Sequence, residues 1–164
     1  MIMNLYCLLN SNRNLVKFKR YVLKHGEAHP EMKRIKVLFD EIKRDFEQHM
    51  MKEEVILFPR IKVLETLFNE GRLSKENLAI EAPIRVMEFE HETAGKMMEE
   101  IKKLSNNFTS PVNACTTFRL SLEELKIFEN DLHQHVHLEN NILFPKALDL
   151  QNNLNQPSSC SCSL

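Results

Sequence analysis

Two distant stretches of the chain repeat one arrangement of potential metal donors. His49-Met-Met-Lys-Glu53-Glu-Val-Ile56-Leu57-Phe58-Pro59 and His135-Val-His-Leu-Glu139-Asn-Asn-Ile142-Leu143-Phe144-Pro145 agree at six positions in a single frame. Residues four apart on a helix lie on one face, so each stretch offers an imidazole and a carboxylate to the same space. A single His/Glu pair of this kind reads as a surface hydrogen bond or a weak ion pair; its repetition in one frame reads as a shared site. An imidazole suits a terminal position and a carboxylate can bridge, so two such helices supply half of a binuclear iron or manganese centre of the type that bundles hold between facing helices. The Ile-Leu-Phe-Pro that follows each pair is read as core packed below the site, its proline ending the turn.

Two further histidines are candidates by placement. His91 lies in Glu88-Phe-Glu-His-Glu-Thr-Ala-Gly95, inside a helical pattern, and His25 lies at the end of another. Ala94 and Gly95 are small enough to let a neighbour come close. His29, His133 and His137 are read as exposed or as standing behind ligands, because the last two flank His135 at two-residue spacing and so fall on other faces.

The elements that must carry these groups are helices. Glycine occurs only three times and the prolines fall between periodic segments, which favours long helices. A first helix is expected over residues 5–24, ending at His25-Gly26. His29-Pro30 reads as a new start, and Ile35, Leu38, Phe39, Ile42 and Phe46 form an apolar stripe running on toward Phe58. Pro59 is expected to bend or interrupt that helix, with a short extension through Leu64 and Phe68 before Gly71 and a linker marked by Ser74 and Asn77. Further helices are expected over residues 83–104 and 115–144. Residues 1–150 thus read as an all-α domain, an antiparallel up-down four-helix bundle. The Asn- and Ser-rich residues 151–164 read as a disordered tail, with Cys160 and Cys162 part of it.

Composition narrows the partners. Hydrophobic residues make up 43% and charged residues 27% of the chain, the balance of a soluble globular protein. The apolar runs are too short to cross a bilayer, so no membrane association is expected. A formal net charge of -1 gives no field that points to nucleic acid or an anionic membrane. No basic leader with a cleavage site opens the sequence, so export is not expected. Cysteines at 7, 115, 160 and 162 do not form a disulfide framework, which fits a reducing cytoplasm. A homodimer is left open.

The segments Lys24-His-Gly-Glu-Ala-His-Pro-Glu31, the two His/Glu repeats, Glu90-His-Glu-Thr-Ala-Gly95 and Pro111-Val-Asn-Ala-Cys-Thr-Thr117 together resemble the hemerythrin-like domain of the iron-sulfur cluster repair family. Members of that family are di-iron proteins that restore clusters damaged by nitrosative and oxidative stress. The resemblance runs to Leu148. It implies two non-haem iron ions, with His25, His49, His91 and His135 as terminal ligands and Glu53 and Glu139 as bridging carboxylates. The family has another ligand histidine early in its first helix; counting back from His25 without a gap places Asn4 there. An amide oxygen is a weak ligand, so one ion would bind loosely or take water instead; a truncated start to the sequence is the other account. Many members also carry a small cysteine-bearing N-terminal domain, which is not read in this sequence.

Three functions follow from these observations. In the first, the di-iron centre supports repair of iron-sulfur clusters by delivering iron or handling nitric oxide, and proteins with damaged clusters are its partners. In the second, the same ligands make a module that binds or senses oxygen or nitric oxide. In the third, the bundle is a scaffold whose metal site has decayed at Asn4. Manganese in place of one iron is compatible with the donor set.

Overall fold

A proline fixes φ and has no amide hydrogen, which suits the first turn of a helix, and Pro30 opens α1 (Pro30–Lys52). The computed structural model describes residues 29–72 and 78–155, and every regular element among them is helical. The remaining elements are α2 (Phe58–Asn69), α3 (Glu81–Leu104), α4 (Thr116–Leu138) and α5 (Phe144–Asn155). The helix expected over residues 5–24, together with Asn4 and His25, lies outside the described residues, as do residues 156–164.

α1 and α2 form one continuous rod, as do α4 and α5. Each join is a single π-helical turn, Glu53–Leu57 in the first rod and Glu139–Leu143 in the second. In both, the phenylalanine amide reaches five residues back, Phe58 N–H to the Glu53 carbonyl and Phe144 N–H to the Glu139 carbonyl. This corrects the expectation that Pro59 interrupts its helix and Pro145 ends a turn. The ring of a proline collides with the carbonyl four residues back, here that of Val55 or Asn141. Both carbonyls lie inside the widened turn, where the ladder has already moved to five-residue spacing, and the helix passes each proline without breaking.

The last helix, α5, runs on to Asn155, with Gln151 and Leu154 buried, so residues 151–155 are helical although their composition reads as tail. Gln151 is held by hydrogen bonds rather than by hydrophobicity. Its Oε1 accepts from the Ile80 amide at 2.8 Å and its Nε2 donates to Glu81 at 3.2 Å, which satisfies an amide at the start of α3 that no helical carbonyl can reach.

Cross-helix contacts fix the directions of the three rods. Arg34 pairs with Glu100 and, further along α1, Lys52 pairs with Glu90, so α1 and α3 are antiparallel. Lys102 meets Glu129 and His91 meets Asn140, so α3 is antiparallel to the last rod. Phe39 packs edge-on against Phe128 at 5.3 Å while His49 lies beside His135, so the first and last rods are parallel. The helix turn after α3 is closed by Ser105, whose hydroxyl donates to the Lys102 carbonyl and accepts from the Phe108 amide. Asn106 and Asn107 take left-handed backbone there, a conformation asparagine tolerates better than most residues.

The apolar faces collect into two clusters. One holds Ile35, Ile42, Phe46, Met98, Ile101, Phe128 and Leu132. The other holds Leu57, Leu64, Ile80, Ile84, Met87, Phe144, Ala147 and Leu154. Along each rod the boundary between them falls where the repeated donors stand: after Met50 and before Leu57, after Met87 and before Ala94, after Leu132 and before Phe144. The Ile-Leu-Phe-Pro segments divide accordingly. Leu57 and Phe144 are core, but Ile56 and Ile142 are 42% and 39% exposed, so the expectation that the whole segment packs below the site holds only in part.

Leu64 is fully buried in the second cluster, and its neighbour Val63 is exposed. Leu64→Ala is expected to lower the free energy of unfolding by about 2–5 kcal/mol and Val63→Ala by less than about 0.5 kcal/mol, read from urea denaturation of the metal-free protein. Equal losses would show that the α2–α5 cluster is not a cooperative part of the core.

Candidate metal centre

The repeat frame does what its spacing requires. His49 and Glu53 from the first rod, His91 from α3, and His135 and Glu139 from the last rod meet between the two apolar clusters, with one potential ligand atom of each within 4.8 Å of all the others. All five side chains are buried. The Nε2 atoms of His49 and His91 are 3.0 Å apart. Glu53 Oε1 lies 3.2 Å from His49 Nε2, and Glu139 Oε2 lies 3.3 Å from both His91 Nε2 and His135 Nε2. Each carboxylate is the first residue of a π-helical turn.

Hydrogen bonding does not account for this concentration of polar atoms. Both oxygens of Glu53, Oε2 of Glu139 and Nε2 of His135 are buried without a hydrogen-bond partner, although imidazole nitrogens stand close by. Distance is satisfied and direction is not. Buried polar atoms without partners are costly, and lone pairs converging on one point from nitrogen and oxygen are what a transition-metal ion satisfies. The donor set of three imidazoles and two carboxylates fits iron or manganese.

The electrostatics show the same conflict. Burial pushes the Glu53 carboxyl up from its ordinary 4.5 to about 7, and burial foremost raises Glu139 as well. Burial drives His135 down from 6.5 to about 4. His49 is lowered by burial and by the nearby His91. For His91, burial works downward, but its contacts with Glu139 and Asn140 outweigh it and leave it raised. Without a cation, a low-dielectric site favours neutral forms of its acids and bases.

The rings are fixed from outside as well as inside. Phe46 touches all three imidazoles, with centroids 5.0, 6.5 and 5.7 Å from His49, His91 and His135. Phe144 lies parallel to His91 at 6.1 Å. Glu90 Oε2 accepts from His49 Nδ1 at 3.0 Å, and its Oε1 is paired with Lys52. Asn140 Oδ1 accepts from His91 Nδ1 at 2.8 Å. For Glu90, burial acts upward, but the bonds from Lys52 and His49 prevail and hold its carboxyl below the usual range.

Of the six residues selected from the sequence, five come together; the sixth, His25, lies outside the described residues. His133 and His137 are exposed, His137 beside Asn141, and His29 pairs with Glu31 and stacks on Phe118. Glu90, Asn140 and Lys52 were not selected. The signal for the first two was adjacency, since each neighbours a candidate ligand in sequence, but only the packing shows which imidazole each one meets. Gly95 does not mark a close approach: a Cβ there would meet nothing within 4 Å.

The pH dependence of the metal-free protein follows from these shifts. A raised folded-state value for Glu53 removes stability as pH rises from 4.5 to about 7, and a depressed value for His135 removes stability as pH falls from 6.5 to about 4. The two slopes oppose each other where they overlap. Glu53→Leu removes the first, so the variant is expected to be more stable than the parent without metal. Its advantage should grow between pH 4.5 and 7 to the order of a few kcal/mol. Denaturation curves across that range check this, and a constant or shrinking difference would contradict the assigned burial of the carboxyl.

Residues 12–147 match the family described as the hemerythrin HHE cation binding domain. The chain is 44% identical over 110 residues to a protein of Haemophilus influenzae named probable iron-sulfur cluster repair protein, over 67% of this chain and 44% of that protein. It is 46% identical over 104 residues to the iron-sulfur cluster repair protein YtfE of Musicola paradisiaca, over 63% of this chain and 42% of that one. The match to YtfE of Escherichia coli O81 is 45% identical over 104 residues, with the same two shares. The chain therefore spans less than half the length of these curated relatives. The matched residues include every donor in the buried cluster, and the chain belongs to the hemerythrin HHE cation binding domain family.

Proposed function

We propose that His25, His49, His91 and His135 as terminal ligands, with Glu53 and Glu139 as bridging carboxylates, hold two non-haem iron ions. We further propose that the protein uses this centre in the cytoplasm to support repair of iron-sulfur clusters damaged by nitrosative or oxidative stress, by delivering iron or handling nitric oxide. The observation that carries the reading is the convergence of five donor side chains, several of their inner atoms without partners, between two apolar layers. The names of the relatives supply the process; proteins with damaged clusters are the partners that process requires. No helix among the described residues is long and apolar enough to cross a membrane.

Bound iron would supply exchangeable coordination positions and one-electron chemistry. The chain's own contribution is positional. Three rods deliver the donors, Phe46 and Phe144 pack against the imidazoles, and Glu90 and Asn140 set which ring nitrogen faces inward. His25 and the consequences of Asn4 are part of the proposal through the family resemblance alone.

Protein purified without oxygen is expected to carry about two irons per chain. Glu53→Ala or Glu139→Ala should lose most of that iron, and His133→Ala should keep it. The loaded protein, added to an enzyme with a damaged cluster, should restore its activity. Iron near zero in the parent protein defeats the metal-centre reading; full iron and a spectral response to nitric oxide with no recovered activity would leave gas binding as the function.

A further inference from the structure

Two imidazoles of the centre, His49 and His91, are supported unequally, each from a different helix. His49 of α1 is held by Glu90 of α3, and His91 of α3 is held by Asn140 of the last rod. Glu90 meets His49 Nδ1 at 3.0 Å through one oxygen and Lys52 through the other, so its carboxylate is engaged on both sides. The amide oxygen of Asn140 is 2.8 Å from His91 Nδ1 and carries no charge. Both contacts place the hydrogen on Nδ1 and leave Nε2 as the inward donor, where the two Nε2 atoms are 3.0 Å apart. A carboxylate behind an imidazole makes it a stronger electron donor than a neutral amide does, and such outer partners govern metal affinity.

We propose that Glu90, clamped by Lys52, is the positioning residue for His49, and that its pairing with His49 against the Asn140 pairing with His91 makes the two imidazoles donors of different strength. The proposal rests on the metal-centre reading above and adds to it an inequality within the site: metal held through His91 is released more readily than metal held through His49.

The test uses the full chain loaded without oxygen with Fe(II), and in parallel with Co(II), whose visible bands report its ligand field. Glu90→Gln keeps a polar contact and removes the charge; Asn140→Asp adds a charge behind His91. Glu90→Gln is expected to speed extraction of iron by a chelator about 10–100-fold and to shift the Co(II) bands, with Glu90→Asp recovering part of both. Asn140→Asp is expected to slow the faster phase of extraction. Parental extraction rates and parental Co(II) bands in Glu90→Gln and Asn140→Asp overturn the inference. If Glu90→Gln does not fold, as judged by circular dichroism, Asn140→Asp alone decides: a slower fast phase supports the inference and an unchanged one overturns it. A parent chain that takes up neither metal defeats the metal-centre reading itself, whereas a loaded parent with indifferent variants defeats only this inequality.

Discussion

The structure depends on one constraint: ionisable side chains from three rods must sit together out of water. Taking a carboxylate or an imidazolium into an apolar layer costs several kcal/mol unless charge or direction is compensated. Here the layers are well formed, with Phe46 and Met50 on one side and Leu57, Met87 and Phe144 on the other. The rings of His49 and His135 pack against Phe46. Without a cation, burial shifts these groups toward their neutral forms, raising the Glu53 carboxyl to about 7 and lowering His135 to about 4. A bundle selected for stability alone would place leucine at these positions. The polar layer is explicable as a binding site and is a liability otherwise.

The two π-helical turns are the local answer to that constraint. An α-helix places residues four apart in register, which brings each His and Glu to one face, but it also runs the backbone on at a fixed pitch. Widening the helix at the carboxylate, on both repeated segments, changes the register just where the polar layer meets the second apolar cluster. Leu57 and Phe144 are buried beneath the donors as a result, while Ile56 and Ile142 face outward. The proline that follows each turn fits the same logic, since it removes an amide from the ladder and tolerates the altered spacing upstream. Both copies of the motif carry the same backbone irregularity beside their donor pairs.

How much of this was legible in the sequence depends on whether the information was local. The start of α1 at Pro30, the apolar stripe through Ile35, Ile42 and Phe46, the end of α3 at Ser105 and the pairing of His with Glu are properties of short windows, and the structure has each of them where the spacing places it. Pro59 and Pro145 misled because the rule that proline interrupts a helix presumes four-residue hydrogen bonding, and nothing in Glu-Val-Ile-Leu or Asn-Asn-Ile-Leu announces a five-residue turn. Gln151 misled in the opposite direction: a run of Gln and Asn reads as tail, and its role emerges only because the start of α3 lies beside it. Glu90 and Asn140 were invisible for the same reason. Their partners are 41 and 49 residues away, and only the antiparallel packing of the rods selects them from the many acids and amides on helix surfaces.

That cross-helix support has a consequence for folding as well as for ligand strength. Two of the inner imidazoles, His49 and His91, are each held by a group from another rod, so the geometry of the cluster is a property of the assembled bundle and does not pre-exist in any one helix. The His49–Glu53 pair can form on an isolated helix, but its orientation toward His91 requires α3, and the orientation of His91 requires the last rod. A cation bound by such a cluster stabilises the packed state over any state in which the rods have separated, because the unfolded chain offers no comparable site. A bound cation would thereby offset the cost of burying these unpartnered donors, and stability of the fold would be linked to occupancy of the site.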